Sequence, residues 1–299
     1  MALTTPVAFF VFNRPEPTST VFAAIAAARP QVLLLVADGA RADRHGEAER
    51  VAEVRSIVSS VDWPCEVFTD FSETNLGCKQ RISSGIDWVF SKVERAIILE
   101  DDCCPSPAFF RFAQDMLERY ASDRRIYSIS GSNFSGSTTP SGHYFSNFAL
   151  MWGWATWRDR WADYEVDPDM PSEILRRMWW NRPIAYLYWK RIYTELTSGR
   201  IDTWDYQWLL TLWRKGALTV RPSVNLVQNI GFGPDATHTM NSEDQMAMMT
   251  AWDGDCGLEE PTGAVQADNT RDMIDERVWA RINWKSILLM RFPWLARLK

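Results

Sequence analysis

The chain has 299 residues, enough for one large domain or two fused halves around a substantial buried core. Apolar residues make up 46% and charged residues 23%, with no low-complexity run and no solenoid-length repeat, which excludes disordered and fibrous classes. A net charge of -6 offers no basic footprint for a phosphate backbone, so no nucleic-acid partner is expected.

In chain order, the apolar run from Val7 to Phe12 is stopped by Asn13-Arg14-Pro15 and predicts a strand, followed by an Ala-rich helix from Thr18 to Ala28. Val32 to Ala37, closed by Asp38-Gly39, predicts a second strand, and residues 46–60 have helical spacing. Cys65 to Thr69 reads as a third strand and Cys78 to Phe90 as a helix. Ala96 to Leu99 reads as a fourth strand running directly into Glu100-Asp101-Asp102. Strands alternating with helices predict an α/β fold with a Rossmann-like, mostly parallel sheet flanked by helices. From residue 132 the texture changes. A Ser/Gly/Thr-rich stretch at 132–142 predicts a flexible loop, 173–198 and 202–215 predict helices, and Leu218 to Val227 predicts a strand pair broken at Pro222.

Five cysteines without a CxxC pair and three widely separated histidines (45, 143, 238) indicate neither a disulfide frame nor a zinc knuckle. No basic residue precedes the first apolar stretch, and no apolar run of about 18 residues occurs, so a cytoplasmic body is expected. The tail at 274–299 is basic and apolar together. It suits either a closing helix packed on the domain or peripheral contact with the inner face of the cytoplasmic membrane.

Ligands of such sheets collect outside the carboxyl ends of the strands, which selects the loops at Asn13-Arg14, Asp38-Gly39, Thr69-Asp70 and Glu100-Asp101-Asp102. No G-x-G-x-x-G follows the first strand and no P-loop motif occurs, so dinucleotide and P-loop chemistries are disfavoured. Three adjacent acids at a strand end are costly unless a cation neutralises them, one is protonated, or the turn is simply solvated. A hard divalent ion, Mg²⁺ or Mn²⁺, bridging carboxylates to substrate phosphates explains them economically. Ten of the 16 tryptophans fall between residues 152 and 213, where they fill a core or offer flat platforms for sugar rings.

The ordered set Phe12-Asn13-Arg14-Pro15, Val36-Ala37-Asp38-Gly39, Asn75-Leu76-Gly77-Cys78, Ile98-Leu99-Glu100-Asp101-Asp102 and Trp152-Gly153-Trp154-Ala155-Thr156-Trp157 resembles the GT-A fold glycosyltransferases. The likeness is to bacterial family-2-like sugar transferases, with a nucleotide half similar to that of the N-acetylglucosaminyltransferase I family, and it spans about residues 5–245. It implies a nucleotide-sugar-binding half at 1–131, an acceptor-binding half of the same domain at 132–260 and a tail at 261–299. It implies that Arg14 and Asp38 hold base and ribose, that Asp101 lies near ribose or donor sugar, and that Asp102 is the direct metal ligand. Lys79 and Arg81 then face the nucleotide or solvent. Asp38-Gly39 is equally a turn signal.

An inverting transfer needs a base on the acceptor hydroxyl, and Thr203-Trp204-Asp205-Tyr206 resembles the segment carrying it. Asp205 is the expected base, although an acid there also suits a helix N-terminus; Asp235 and Glu243 are alternatives. The Gly-rich stretch Asn229 to Thr239 resembles a loop that orders over nucleotide, where His238 would ligate the metal or bond the diphosphate. Glu100, Trp152, Trp154, Trp157 and Trp204 would shape the donor and acceptor pocket. The implied activity is metal-dependent transfer from a nucleotide diphosphate sugar, most simply a UDP-sugar, to a glycan or lipid-linked acceptor. Retaining enzymes share the fold. A sugar nucleotidyltransferase and a non-catalytic carbohydrate-binding protein are the rival expectations.

Overall fold

The apolar runs of the first hundred residues form the strands they predict, and the polar loops that follow them meet at one edge of a single sheet. The structure is a computed structural model and describes residues 3–137, 139–232, 246, 248–254, 256–257 and 264–282. Val7–Val11 (β1) leads into Pro15–Ala28 (α1), Val32–Ala37 (β2) into Glu47–Ser59 (α2), and Glu66–Phe71 (β3) into Cys78–Lys92 (α3). Arg95–Glu100 (β4) ends on the first acid of the triplet and is followed by Cys103–Pro105 (β5), Pro107–Arg119 (α4) and Ile126–Ser130 (β6). Then come His143–Ser146 (β7), Trp154–Trp157 (β8), Arg158–Trp161 (α5), Ser172–Met178 (α6), Pro183–Thr197 (α7) and Asp205–Lys215 (α8). Leu218–Pro222 (β9), Val227–Asn229 (β10) and Asn269–Val278 (α9) complete the fold.

The main sheet has eight strands in the order β3-β2-β1-β4-β8-β6-β9-β7. Pairs β3-β2, β2-β1, β1-β4 and β6-β9 are parallel, whereas β4-β8, β8-β6 and β9-β7 are antiparallel. Because β8 runs against both of its neighbours, β6 and β9 regain the direction of β1 to β4, and six strands end at one edge. Arg14, Asp38, Glu100 and Gly131 all emerge there. Strands β7 and β8 join the same sheet as β1 to β4, so residues 1–131 and 132–260 share it rather than forming separate cores.

Along β1, Val7, Phe9 and Val11 enter one buried cluster with Phe109 and Phe112 of α4, while Ala8 and Phe10 enter the opposite cluster with Ile86, Trp154 and Trp208. That period-two division is what a strand covered on both faces requires.

Three expectations need correction. The helix anticipated over 173–198 is two, α6 and α7, because Pro183 donates no N–H, restricts Arg182 before it and serves as the first residue of α7. Leu218 to Val227 is not a strand pair: β9 joins the main sheet and β10 pairs with β5 in a separate ribbon. The loop at 132–142 begins inside the protein, with Ser132, Asn133 and Phe134 buried and the Asn133 amide donating to Pro222 O at 2.7 Å. In the tail, α9 packs on the domain and Trp279 lies 6.0 Å from the Trp189 ring and 5.9 Å from Tyr206. Residues 283–299 lie outside the described residues. No helix among the described residues is long and apolar enough to cross a membrane, and all five cysteines are free.

Candidate active site at the carboxyl edge of the sheet

Strand β4 carries its apolar register through Leu99 and then ends in three acids in succession. Glu100 is half-buried, Asp101 is 4% exposed, and the Arg14 guanidinium from the β1–α1 turn lies against both aspartates. Arg14 forms a close ion pair with Asp101 and donates to Asp102 Oδ2 at 3.0 Å. Burial works against the Arg14 charge, but Asp101 and Asp102 together hold its pKa above the usual arginine value. Burial pushes Asp101 up to about 6 against the pull of Arg14, with Asp102 adding to the rise. Glu100 is driven well above the carboxylate range by burial and by the charges of Asp102, Asp101 and Asp205. One arginine therefore offsets a single charge of the triplet, and negative charge remains to attract a further cation.

The ribbon of β5 and β10 brings a second wall to Asp102. Asn229 pairs with Cys103, and the Ile230 N–H donates to Asp102 O at 2.8 Å. A Cβ on Gly231 would fall 2.3 Å from Asp102 Oδ2, so only glycine lets the backbone lie this close to the carboxylate. The Gly-rich stretch predicted from Asn229 thus begins directly over the acids. Its continuation, with His238, Asp235 and Glu243, lies outside the described residues.

Helix α8 brings Asp205 into the same electrostatic field. Asp205 is the first residue of the helix, and its Oδ1 accepts from the Tyr206 N–H at 2.9 Å and from the Thr203 hydroxyl. Its charge bears on Glu100 and on the Cys78 thiol at the start of α3. That thiol, crowded by surrounding protein and facing Glu100, Asp205, Asp202 and Asp102, is pushed up to about 12. Arg14, Asp101 and Asp102 are therefore in direct contact and Asp205 bears electrostatically on Glu100, although these residues come from three separate segments.

Asp38 does not take the part expected of it. Its Oδ1 accepts from the N–H groups of Gly39 and Leu76, both at 2.9 Å, and its Oδ2 from Asn75 Nδ2 at 3.0 Å and the Gly77 N–H at 3.1 Å. These four donors match the capacity of a carboxylate, so Asp38 fastens the β2 loop to Asn75-Leu76-Gly77 and has no lone pair left for ribose or base. Asp38→Asn places an amide against inward-pointing N–H groups. We expect it to cost about 2–3 kcal/mol of stability in chemical denaturation; a loss under about 0.5 kcal/mol contradicts this fastening role.

Arg81 is likewise committed. It is buried, and one terminal nitrogen donates to Asp70 O and Oδ2 at 2.5 and 2.7 Å, which ties the start of α3 to the end of β3. Lys79 makes only a loose 3.8 Å pair with the exposed Asp167 and keeps its charge at the surface.

The tryptophans divide by position. Trp152 is half-buried and edge-on to Phe134 at 5.4 Å and Phe232 at 5.9 Å, beside the segment over Asp102. Trp154 and Trp204 are buried and stacked on each other at 5.7 Å, forming the floor beneath α8 rather than an open platform. Trp157 stands at the far end of β8, opposite Arg95 at the start of β4, with its indole N–H donated to Leu117 O at 3.1 Å. The antiparallel run of β8 carries it away from the acids, so it lines no pocket there.

Glu47 was not singled out in the sequence. It is fully buried and accepts from the Asn13 amide at 2.8 Å, the Arg41 N–H at 2.8 Å and the Arg41 guanidinium. It thereby ties the β1 and β2 loops together, and hydrogen bonds from Arg41 hold its carboxyl down at about 2.

Among the described residues no three His, Cys, Asp or Glu side chains converge as a complete metal site. The donor set at Asp102 and Glu100 is nevertheless all hard oxygen with excess negative charge. That suits a hard divalent ion sharing its coordination between protein carboxylates and substrate phosphate.

No protein-family model matches the chain, and no curated protein is similar to it in sequence. Its similarities are to solved structures. One is a UDP-glucose pyrophosphorylase complexed with UDP-glucose, at 11% identity, covering 73% of this chain and 90% of that one with a TM-score of 0.37. Another is a 4-diphosphocytidyl-2C-methyl-D-erythritol synthase from Anaerococcus prevotii, at 9% identity, 83% and 97% coverage and a TM-score of 0.39. A third is a mannosyltransferase from Pyrobaculum calidifontis in complex with GDP-Man and Mn²⁺, at 9% identity, 70% and 68% coverage and a TM-score of 0.34. Likenesses this distant carry no inference about function.

Proposed function

We propose that the chain is a metal-dependent, inverting glycosyltransferase that moves a sugar from a nucleotide diphosphate sugar, most simply a UDP-sugar, to a glycan or lipid-linked acceptor. The observation that carries this reading is the run of Glu100, Asp101 and Asp102 at the carboxyl end of β4, held by Arg14, with Asp205 at the start of α8 in the electrostatic field of Glu100. Asp102, aided by Glu100, would hold Mn²⁺ or Mg²⁺, an ion that supplies positive charge to the departing diphosphate. Arg14 holds Asp101 and Asp102 in place and keeps part of their charge neutral before substrate arrives. Trp152 walls the same space. Asp205 accepts the proton of the acceptor hydroxyl as its oxygen attacks the anomeric carbon.

Two observations weigh against the rivals. The β1–α1 turn holds only Phe12, Asn13 and Arg14, with Arg14 engaged by the acids, and so lacks the Gly-rich basic loop that a sugar nucleotidyltransferase needs. Trp154, Trp157, Trp204 and Trp208 are core residues, which removes most of the platform that a carbohydrate-binding protein would present.

The test is incubation with a panel of nucleotide sugars. Mn²⁺-dependent release of nucleoside diphosphate supports transfer, pyrophosphate chemistry supports the nucleotidyltransferase, and the absence of both leaves binding alone. Asp205→Asn keeps the shape and removes the base. It is expected to lower kcat about 100-fold or more while donor affinity stays near wild type; near-native turnover in that variant places the base elsewhere.

A further inference from the structure

Around α6 and α7 the molecule combines exposed apolar side chains with a surplus of basic residues, of which Arg176, Arg182 and Arg191 are ion-paired and Arg177 and Lys190 have no ion-pair partner among the described residues. Trp180 stands 81% exposed between α6 and α7, and Ile184 and Leu187, 45% and 51% exposed, follow on the outer stripe of α7. Ile184 and Met273 of α9 line a shared groove of about 280 Å³ with Arg182, Arg277 and Ile282. A single exposed aliphatic residue is ordinary, but Ile184 and Met273 across one groove, with Leu187 one turn further along α7 and Trp180 just before that helix, make an apolar surface that marks an interaction site.

The charge around it runs against that of the chain. Residues 172–192 carry five basic side chains (176, 177, 182, 190, 191) and one acid (173), a balance of +4 within a chain of net -6. Glu173 is paired with Arg176, and Glu276 of α9 is taken up by Arg182 and by the indole N–H groups of Trp179 and Trp189. Arg177 and Arg277 are exposed and have no ion-pair partner among the described residues.

We infer that this face is a docking surface for an anionic lipid bilayer. Trp180, Ile184, Leu187 and Met273 enter the headgroup region, and Arg177, Arg277 and Lys190 meet the lipid phosphates. An indole suits the water–hydrocarbon boundary because it is apolar with one polar N–H, and arginine and lysine carry long apolar stems beneath their charges. Clustered basic residues supply the electrostatic part of such binding. Charge also argues against a second copy of the chain as the occupant, because a symmetric contact would set arginine against arginine with the nearby acids already paired. The inference stands apart from the transfer reaction and does not depend on it.

Sedimentation of the full chain with phosphatidylglycerol-containing vesicles and with pure phosphatidylcholine vesicles tests it. Binding is expected to the anionic vesicles, to weaken as salt rises, and to fall about tenfold in Trp180→Ser/Leu187→Ser and again in Arg177→Glu/Arg277→Glu. All four residues are exposed, so both double variants should keep the wild-type melting temperature; nucleoside diphosphate release by the free protein is a separate readout. Three results overturn the proposal: no preference for anionic vesicles, both variants binding like wild type, or binding that follows Arg291→Glu/Arg297→Glu but not the surface changes. A dimer in light scattering that is lost in the Trp180 variant assigns the face to a second copy instead.

Discussion

Asp102→Ala is expected to reduce transfer by about 1,000-fold or more and to bring nucleotide affinity in Mn²⁺ down to its metal-free level. The reason is positional. Asp102 receives only part of the Arg14 guanidinium, whereas Asp101 is held by both the Nε and the terminal nitrogen of Arg14 and is almost wholly buried. Of the two aspartates, Asp102 is the more accessible, its side chain 20% exposed against 6% for Asp101, and Gly231 brings no side chain of its own over it. Calorimetry with Mn²⁺ and UDP, together with product release, checks both halves of the expectation. Unchanged metal-dependent UDP binding in Asp102→Ala would refute the assignment of the metal to this corner. A loss of turnover alone, with binding intact, points instead to a role in orienting the donor.

The largest effect on stability is expected outside the acid triplet, at Asp275. This carboxylate in α9 pairs with Arg221 of β9, whose side chain is fully buried and also donates to Ser132 O at 3.1 and 2.9 Å. The guanidinium lies between the Tyr144 ring, 5.6 Å away, and the Phe134 ring, 5.9 Å away. Burial raises the Asp275 pKa against the pull of Arg221, and the arginine charge is sustained against its own burial by Asp275. Removing the acid strands a cation in the interior, so Asp275→Ala should destabilise the protein by about 3–5 kcal/mol in urea unfolding. Restoring electroneutrality by adding Arg221→Met should recover part of that loss, since the site is otherwise walled by aromatic rings. A single-variant cost below about 1 kcal/mol would show that α9 is not clamped to the sheet through this pair.

Much of the parallel half of the fold was legible in the residues alone. Short apolar runs punctuated by Asn-Arg-Pro, Asp-Gly and the acid triplet mark β1, β2 and β4, because a strand buried on both faces must be apolar throughout and must end where the chain turns polar. The importance of the β4 end could be read for the same reason: three acids after four apolar residues have no packing explanation. The other half was not legible. Strands β6, β7 and β8 are four or five residues long and rich in Ser, Thr and Trp, a texture that signals loop or helix locally and becomes strand only through pairing with β4 and β9.

The same division runs through the site. Composition and spacing told which side chains had chemistry to offer, because ionisable and aromatic groups carry their properties wherever they lie. Whether each was free to use them depended on neighbours distant in the chain. Asp38 is saturated by a loop 37 residues on, Arg81 is held by Asp70, and Arg14 reaches the acids 87 residues away. Trp154 and Trp157, three residues apart, lie at opposite ends of one short strand, one beneath the cleft and one far from it. Local sequence sets the turn, the helix start and the charge. Strand order sets which loops share an edge, and so which carboxylates are spent on backbone N–H groups and which stay open to a substrate, because hydrogen-bonding capacity is finite and long-range pairing allots it.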